Sequence, residues 1–364
     1  MGLLRSIAVA SSSSLVVIAG LAAIQNSLMY MPRACHVPPP ASAKLTRPPG
    51  RGAHRQLRAF IAPAPNDASQ LKKRMQSTYN LDKYYATLIG NFEKKHGIIT
   101  QLAYKVDEHK TMAYYASHHA STTVPRRLFL VLGGNAELGL DSLWIADRAL
   151  SASFADCAFV SVDYPSYGRS EGTMGERQAT EAANGALEAV RVKLGVAALP
   201  PTTIIAHSLG CAVALRVAAF GAFGAFDSVD SLILSSPFES IAAMAQHMFT
   251  PSVLRGNERV RFVLDQYLIK RENRWNNLQS LDALAERAKR RGKPYKIVVM
   301  HSREDAIIPF ALGEAVFAKA QALHPHLLAS FAPRDTGDHN SVLDVAWDRV
   351  VLAMNEFARD VAKL

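Results

Sequence analysis

Residues 202–215 read Thr-Thr-Ile-Ile-Ala-His-Ser-Leu-Gly-Cys-Ala-Val-Ala-Leu, and this stretch decides the fold. The β-branched residues 202–205 predict a short buried strand, and the Ala/Val/Leu-rich run from Cys211 to Phe220 predicts a helix packed on a sheet. Between them, an A-x-S-x-G pattern centred on Ser208 predicts a sharp turn that holds the serine in a strained backbone conformation. Small residues are needed two positions before and after such a serine, because larger side chains would collide with the strand and the helix. The pattern alone also suits a serine that caps a helix.

A carboxylate and an imidazole follow at the ends of two later strand patterns. The buried-strand pattern 295–300 precedes a loop with Asp305, and the apolar run 327–332 precedes a loop with His339. Catalytic groups of open α/β sheets lie at the carboxyl ends of strands, so these side chains are expected to converge with Ser208. A serine hydroxyl becomes a nucleophile when an imidazole takes its proton, and a carboxylate orients that imidazole. We therefore predict Ser208 as nucleophile, His339 as general base and then acid, and Asp305 as the orienting carboxylate.

Two acidic neighbours leave alternatives open for the carboxylate. Glu304 precedes Asp305 in the same loop, and Asp338 precedes His339 in the other. Either could be the polar partner of the imidazole in place of Asp305.

A pair of glycines follows the predicted core strand 127–132. Gly133-Gly134 lets the backbone come close to a substrate carbonyl group, and the N–H groups of Asn135 and Leu209 would then form an oxyanion hole. The alternative for the glycine pair is a plain turn.

These motifs resemble those of the α/β-hydrolase superfamily, over roughly residues 95–362. Ser208, Asp305 and His339 follow one another in the chain order Ser, Asp, His of the superfamily's catalytic residues. The segments 133–136, 163–170 and 236–238 are similar to its H-G-N-A, D-Y-x-G-Y-G-x-S and S-P-F motifs, respectively. More narrowly, the chain resembles the membrane-anchored serine hydrolases of the bud-emergence and depalmitoylase-like branch, which is related to prolyl oligopeptidases. Gly133 in place of histidine and Ser166 in place of glycine are departures from these motifs.

The resemblance implies an α/β-hydrolase fold, with a mostly parallel central sheet flanked by helices and a small helical cap inserted at about residues 241–294. It implies hydrolysis of carboxylic ester or thioester bonds in acyl or lipidic small molecules, or in acylated proteins, through an acyl-enzyme. The alternatives are a serine peptidase related to prolyl oligopeptidases and a non-catalytic membrane-tethered scaffold. No Walker pattern, dinucleotide fingerprint or paired Cys/His metal spacing is present in the sequence, so no cofactor is indicated and no metal site is predicted.

Residues 1–67 predict a membrane attachment. Residues 7–24 carry no charged side chain, so we expect residues 1–32 to form a hydrophobic anchor, with a cleaved signal peptide as the alternative. Three proline-rich clusters make residues 33–67 a semi-rigid basic linker, which leaves residues 68–364 for the catalytic domain.

Charge is unevenly distributed along the chain. Residues 1–60 carry seven basic side chains and no acidic one, and so account for seven of the ten net positive charges. We interpret this excess of positive charge as a juxtamembrane feature. The sequence after residue 60 has no basic patch with interleaved aromatic residues, so nucleic-acid binding is not predicted. By the positive-inside tendency the catalytic domain faces the cytoplasm, and the alternatives are the lumen of the secretory pathway and an organelle. The sequence leaves the oligomeric state open.

Overall fold

A computed structural model describes residues 81–118, 124–152, 154–221, 227–249, 257–268 and 273–359. Eight strands of these residues form one sheet in the order β1-β2-β4-β3-β5-β6-β7-β8. The strands are Gly97–Val106 (β1), His109–His118 (β2), Arg127–Leu132 (β3), Cys157–Asp163 (β4), Thr202–His207 (β5), Val229–Ser235 (β6), Tyr295–Ser302 (β7) and Leu327–Arg334 (β8).

The sheet is parallel from β4 to β8, and β2 pairs antiparallel with both β1 and β4. Every residue of β3, β4 and β5 is buried, as expected for parallel strands covered by helices on both faces. Asp107 and Glu108 join β1 to β2 with positive φ at both positions, the geometry of a two-residue hairpin turn. The mostly parallel sheet flanked by helices is thus confirmed.

Helices fill the connections between the strands. They are Leu81–Lys95 (α1), Leu143–Ala152 (α2), Glu176–Leu194 (α3), Leu209–Phe220 (α4), Ile241–Phe249 (α5), Glu258–Val263 (α6), Asn277–Arg291 (α7), Phe310–Ala322 (α8), Val342–Val345 (α9) and Trp347–Arg359 (α10). A 3₁₀ turn at Gly139–Ser142 precedes α2, and a π-helical turn at Leu264–Leu268 follows α6.

The segment 241–294, expected to be a cap, divides into two parts. Helices α5 and α6 and the π-helical turn contact one another, whereas α7 packs on α4 and also contacts α8 and β7. An apolar stripe at Leu281, Leu284, Ala285 and Ala288 is buried in this contact. Residues 277–291 therefore belong to the layer that covers the sheet.

The predicted anchor, residues 1–32, and linker, residues 33–67, lie outside the described residues. Within the part of the chain that is described, none of the helices combines the length and apolarity needed to span a bilayer.

Candidate active site

The turn between β5 and α4 positions Ser208. Its backbone has φ 54° and ψ −119°, a conformation that costs energy for any residue other than glycine. A Cβ atom at Gly210 would lie 2.2 Å from the carbonyl oxygen of Leu132, so only glycine allows the helix to start this close to β3. The tight turn leaves the Ser208 hydroxyl at the carboxyl end of β5.

The structure brings the three side chains predicted for catalysis into one chain of hydrogen bonds. His339 lies in the loop between β8 and α9, and its Nε2 atom is 3.0 Å from Ser208 Oγ. Its Nδ1 atom is 2.8 Å from Asp305 Oδ2 at the end of β7. All three residues are buried. If Nδ1 carries the proton, Nε2 is free to accept the hydrogen of the serine hydroxyl.

Asp305 is fixed by donors on both carboxylate oxygens. Oδ1 accepts the backbone N–H groups of Ile307 and Ile308 at 2.9 and 2.8 Å. Oδ2 also lies 3.4 Å from Nε2 of a second buried histidine, His301. Burial acts to raise the pKa of Asp305, but the hydrogen bonds from His301, His339 and the backbone outweigh it and hold this pKa well below its usual range. Asp305 therefore stays ionised beside the imidazole.

The two alternative carboxylates make other contacts. Glu304 accepts a hydrogen bond from the backbone N–H of Gly337 at 3.2 Å. Asp338 accepts the N–H groups of Asn340 and Ser341, which stabilises the turn before α9. Among these three candidates, the carboxylate that meets the imidazole is that of Asp305.

The loop after β3 lies directly against the serine. A Cβ atom at Gly134 would be 3.1 Å from Ser208 Cβ, so this glycine permits the close approach. Leu209 is the first residue of α4, and its N–H belongs to the first turn, where a helix offers no acceptor of its own. Asn135 follows Gly134 in this loop, and its side-chain oxygen accepts a hydrogen bond from Tyr167 at 2.6 Å.

Glu137 occupies the space beside Gly133. Its carboxylate accepts the N–H of Gly134 at 2.5 Å. A Cβ atom at Gly133 would lie 2.8 Å from the same carboxylate oxygen, so a histidine could not stand there without displacing it. Sequence reasoning gave Glu137 no role, because an acidic loop residue carries no distinctive pattern.

A second residue without a predicted role is His207. Its ring lies against that of His339, with centroids 4.7 Å apart and an angle of 47° between the planes. Burial lowers the pKa of His207 to about 4, so this imidazole is neutral at neutral pH and adds no charge beside His339. His207, Glu137 and Asn340 are among the residues that line a small cavity of about 40 Å³.

No group of three or more His, Cys, Asp or Glu side chains within the described residues is placed to hold a metal ion.

Comparison with known proteins agrees with the fold described above. A family model described as "Alpha/beta hydrolase family" matches residues 128–353. An esterase of Pyrococcus furiosus has a similar structure, with a TM-score of 0.51 and 12% identity over 74% of this chain and 93% of the esterase. An acylaminoacyl peptidase of Pyrococcus horikoshii is similar with a TM-score of 0.53 and 14% identity, over 75% of this chain and 43% of the peptidase. At such identities the likeness shows the fold alone. No curated protein is significantly similar to the chain in sequence.

Proposed function

The chain belongs to the alpha/beta hydrolase family, and from that premise we propose that it is a serine hydrolase that cleaves carboxylic ester or thioester bonds of acyl substrates. One observation supports this most directly: His339 is 3.0 Å from the Ser208 hydroxyl on one side and 2.8 Å from the Asp305 carboxylate on the other. Serine, imidazole and carboxylate in this arrangement activate a hydroxyl for acyl transfer.

The first half of the reaction forms an acyl-enzyme. His339 Nε2 takes the proton of Ser208 Oγ while Oγ attacks the substrate carbonyl carbon. The anionic Asp305 stabilises the imidazolium, and the N–H groups of Leu209 and Asn135 donate to the oxyanion. Collapse of the tetrahedral intermediate breaks the bond to the leaving oxygen or sulfur, which takes the proton from His339.

The second half uses water in place of the serine. His339 removes a proton from the water, whose oxygen attacks the acyl carbon. Collapse of this intermediate returns the proton to Ser208 Oγ and releases the carboxylic acid. The same groups serve both halves, so one imidazole alternates between base and acid.

The nucleophile is tested with a fluorophosphonate probe, which reacts with activated serines. Wild type is expected to be labelled and to hydrolyse short acyl esters, and Ser208→Ala to do neither. Ser236→Ala is the matched control, since Ser236 is another buried serine with positive φ at the end of a strand. Labelling of Ser208→Ala at the wild-type rate would exclude the assignment.

The bond type is tested with a substrate panel. Acyl p-nitrophenyl esters of graded chain length, acyl thioesters and N-acyl peptides are compared by kcat/KM with one preparation of the enzyme. We expect esters or thioesters to exceed peptides, because an amine leaves less readily than an alcohol or thiol. Preferred cleavage of peptides would favour the peptidase alternative.

A further inference from the structure

A second loop braces the one that carries Asn135. We call residues 133–139, after β3, the oxyanion loop and residues 163–170, after β4, the tyrosine loop. The Tyr164 hydroxyl donates to the carbonyl oxygen of Gly133 at 3.2 Å, and the Tyr167 hydroxyl donates to Asn135 Oδ1 at 2.6 Å. Both tyrosines are buried, so neither hydroxyl can exchange its partner for bulk water without moving. Two hydrogen bonds therefore join the first half of the oxyanion loop to the tyrosine loop.

Asp163 ties together the far ends of the same two loops. Its Oδ1 accepts the N–H of Gly139 at 2.8 Å, and its Oδ2 accepts the N–H of Arg169 at 3.0 Å. The hydroxyls of Tyr85 and Tyr114 also donate to this buried carboxylate, at 2.9 and 2.7 Å. The oxyanion loop is thus held at its start, at Asn135 and at its end.

A residue next to each partner of the Tyr167–Asn135 bond has a strained backbone. Ser166, before Tyr167, has φ 68°. Ala136, next to Asn135, has φ 65°, although it carries a Cβ atom. A non-glycine residue keeps such a conformation only where its surroundings impose it. The hydrogen bond from Tyr167 ends on the side chain of Asn135, the residue directly before this strained position.

We propose that Tyr167 is a positioning residue for hydrolysis, which through Asn135 Oδ1 holds the Asn135 N–H in the direction of the developing oxyanion. The inference rests on the proposed function, because it concerns the transition state of that reaction. An oxyanion-hole donor contributes only when it is fixed before the charge develops, and removing one costs about 10²- to 10³-fold in rate. Loosening a donor is expected to cost less than removing it.

The test is Tyr167→Phe, which removes the hydroxyl and keeps the ring. We expect kcat for p-nitrophenyl butyrate to fall about 10- to 100-fold. KM should change less than about twofold, because the ground-state carbonyl oxygen depends less on this donor than the oxyanion does. Tyr104→Phe is the matched control: its hydroxyl donates to the Ala182 carbonyl oxygen at 2.6 Å on the edge strand β1. Its kcat should stay at the wild-type level.

A double-mutant cycle separates positioning from general destabilisation. Asn135→Ala keeps the backbone N–H and removes the acceptor, so on its own it should lower kcat by a similar factor. Tyr167→Phe should then cost little in the Asn135→Ala background. Concentrations of folded enzyme are normalised by titration with the fluorophosphonate. If Tyr167→Phe does not fold, the kcat of Asn135→Ala alone tests the positioning role.

The outcomes separate this inference from the proposed function. The positioning role would be overturned if Tyr167→Phe or Asn135→Ala kept the wild-type kcat. It would also be overturned if Tyr167→Phe lowered kcat by the same factor with and without Asn135. Neither result would affect the proposed function as long as turnover depends on Ser208. Turnover that survives Ser208→Ala would overturn the proposed function itself.

Discussion

Asp305 is the residue at which the proposed chemistry and the stability of the fold meet. Its carboxylate accepts two backbone N–H groups and meets two imidazoles, and its side chain is fully buried. An asparagine would present an N–H₂ group to donors that need an acceptor. We expect Asp305→Asn to lower kcat/KM about 10⁴-fold, because the imidazole loses its orienting anion. Its free energy of unfolding should fall by roughly 2 kcal/mol in urea titrations at neutral pH.

The stability difference between wild type and Asp305→Asn should depend on pH. The pKa of Asp305 is lowered in the folded protein from an ordinary value of 3.8, so the carboxylate stabilises the fold above that pH. This contribution is lost as the pH falls through the folded-state pKa. The difference should therefore be constant above about pH 5 and shrink below about pH 4. Asp335→Asn is the control, since that side chain is 90% exposed. If the difference in free energy of unfolding between wild type and Asp305→Asn persisted unchanged at acid pH, it would contradict the expectation.

Single residues differed in how far the sequence could predict them. Ser208, Asp305 and His339 each follow an apolar strand pattern, and the strand-end rule was enough to expect them at one edge. The place of Tyr167 follows from a contact between two loops and that of Glu137 from a contact within its own loop. Neither kind of contact has a period along the chain. A residue whose role is to touch another loop can be identified only once both loops are placed.

At the scale of elements, helix α4 depends on a side chain from α7. Nη1 of Arg287 donates to the carbonyl oxygens of Ala218 and Gly221 at 3.1 and 3.0 Å, at the C-terminal end of α4. Arg287 is buried, and its Nη2 donates to Asp227 at 3.2 Å. A guanidinium at this end satisfies carbonyl groups that the helix leaves open and complements its dipole.

Replacing Arg287 with Met should therefore destabilise the protein without changing its chemistry. We expect the free energy of unfolding to fall by roughly 2–3 kcal/mol in urea titrations, the range for hydrogen bonds from a charged group. Because Ser208, the proposed nucleophile, lies at the opposite end of α4, kcat/KM per folded molecule should stay within about twofold at 25 °C. Arg290→Met is the control, because Arg290 is exposed on the same helix. Equal stabilities for the two variants would show that the cap contributes nothing.

Helix α7 shows that the sequence predicts a helix but leaves its packing partner open. The spacing of Leu281, Leu284 and Ala288 and the basic last turn of α7 are those of a surface helix with one apolar face. That pattern is the same whether the face covers a sheet or an active site, so periodicity predicts the helix and not its partner. The segment after Ser341 forms two helices, with Ala346 between α9 and α10.

At the scale of the whole molecule, the order of strands explains why distant residues meet. Strands β3, β5, β7 and β8 run parallel, so the loops carrying Asn135, Ser208, Asp305 and His339 leave the same edge of the sheet. Ser208 and His339 are 131 positions apart in the chain. The rule that catalytic groups lie at the carboxyl ends of strands predicts this convergence, whereas the distances depend on twist and register, which the strand patterns do not specify.

Residues 1–67 precede, in the sequence, helix α1 and the body of the fold to which that helix contributes. Helix α1 already belongs to that body, because Tyr85 is fully buried and donates to Asp163. We propose that residues 1–32 attach the chain to a membrane and that residues 33–67 space the catalytic domain from it. Full-length protein should then remain in the membrane pellet after carbonate washing, whereas a chain beginning at Ala68 should be in the supernatant with unchanged kcat/KM. A chain beginning at Gly97 lacks α1 and should lose stability, because the Asp163 carboxylate loses a buried donor. Full-length protein in the carbonate supernatant would contradict the anchor, and loss of turnover in the Ala68 chain would show that the preceding residues take part in the fold or the site.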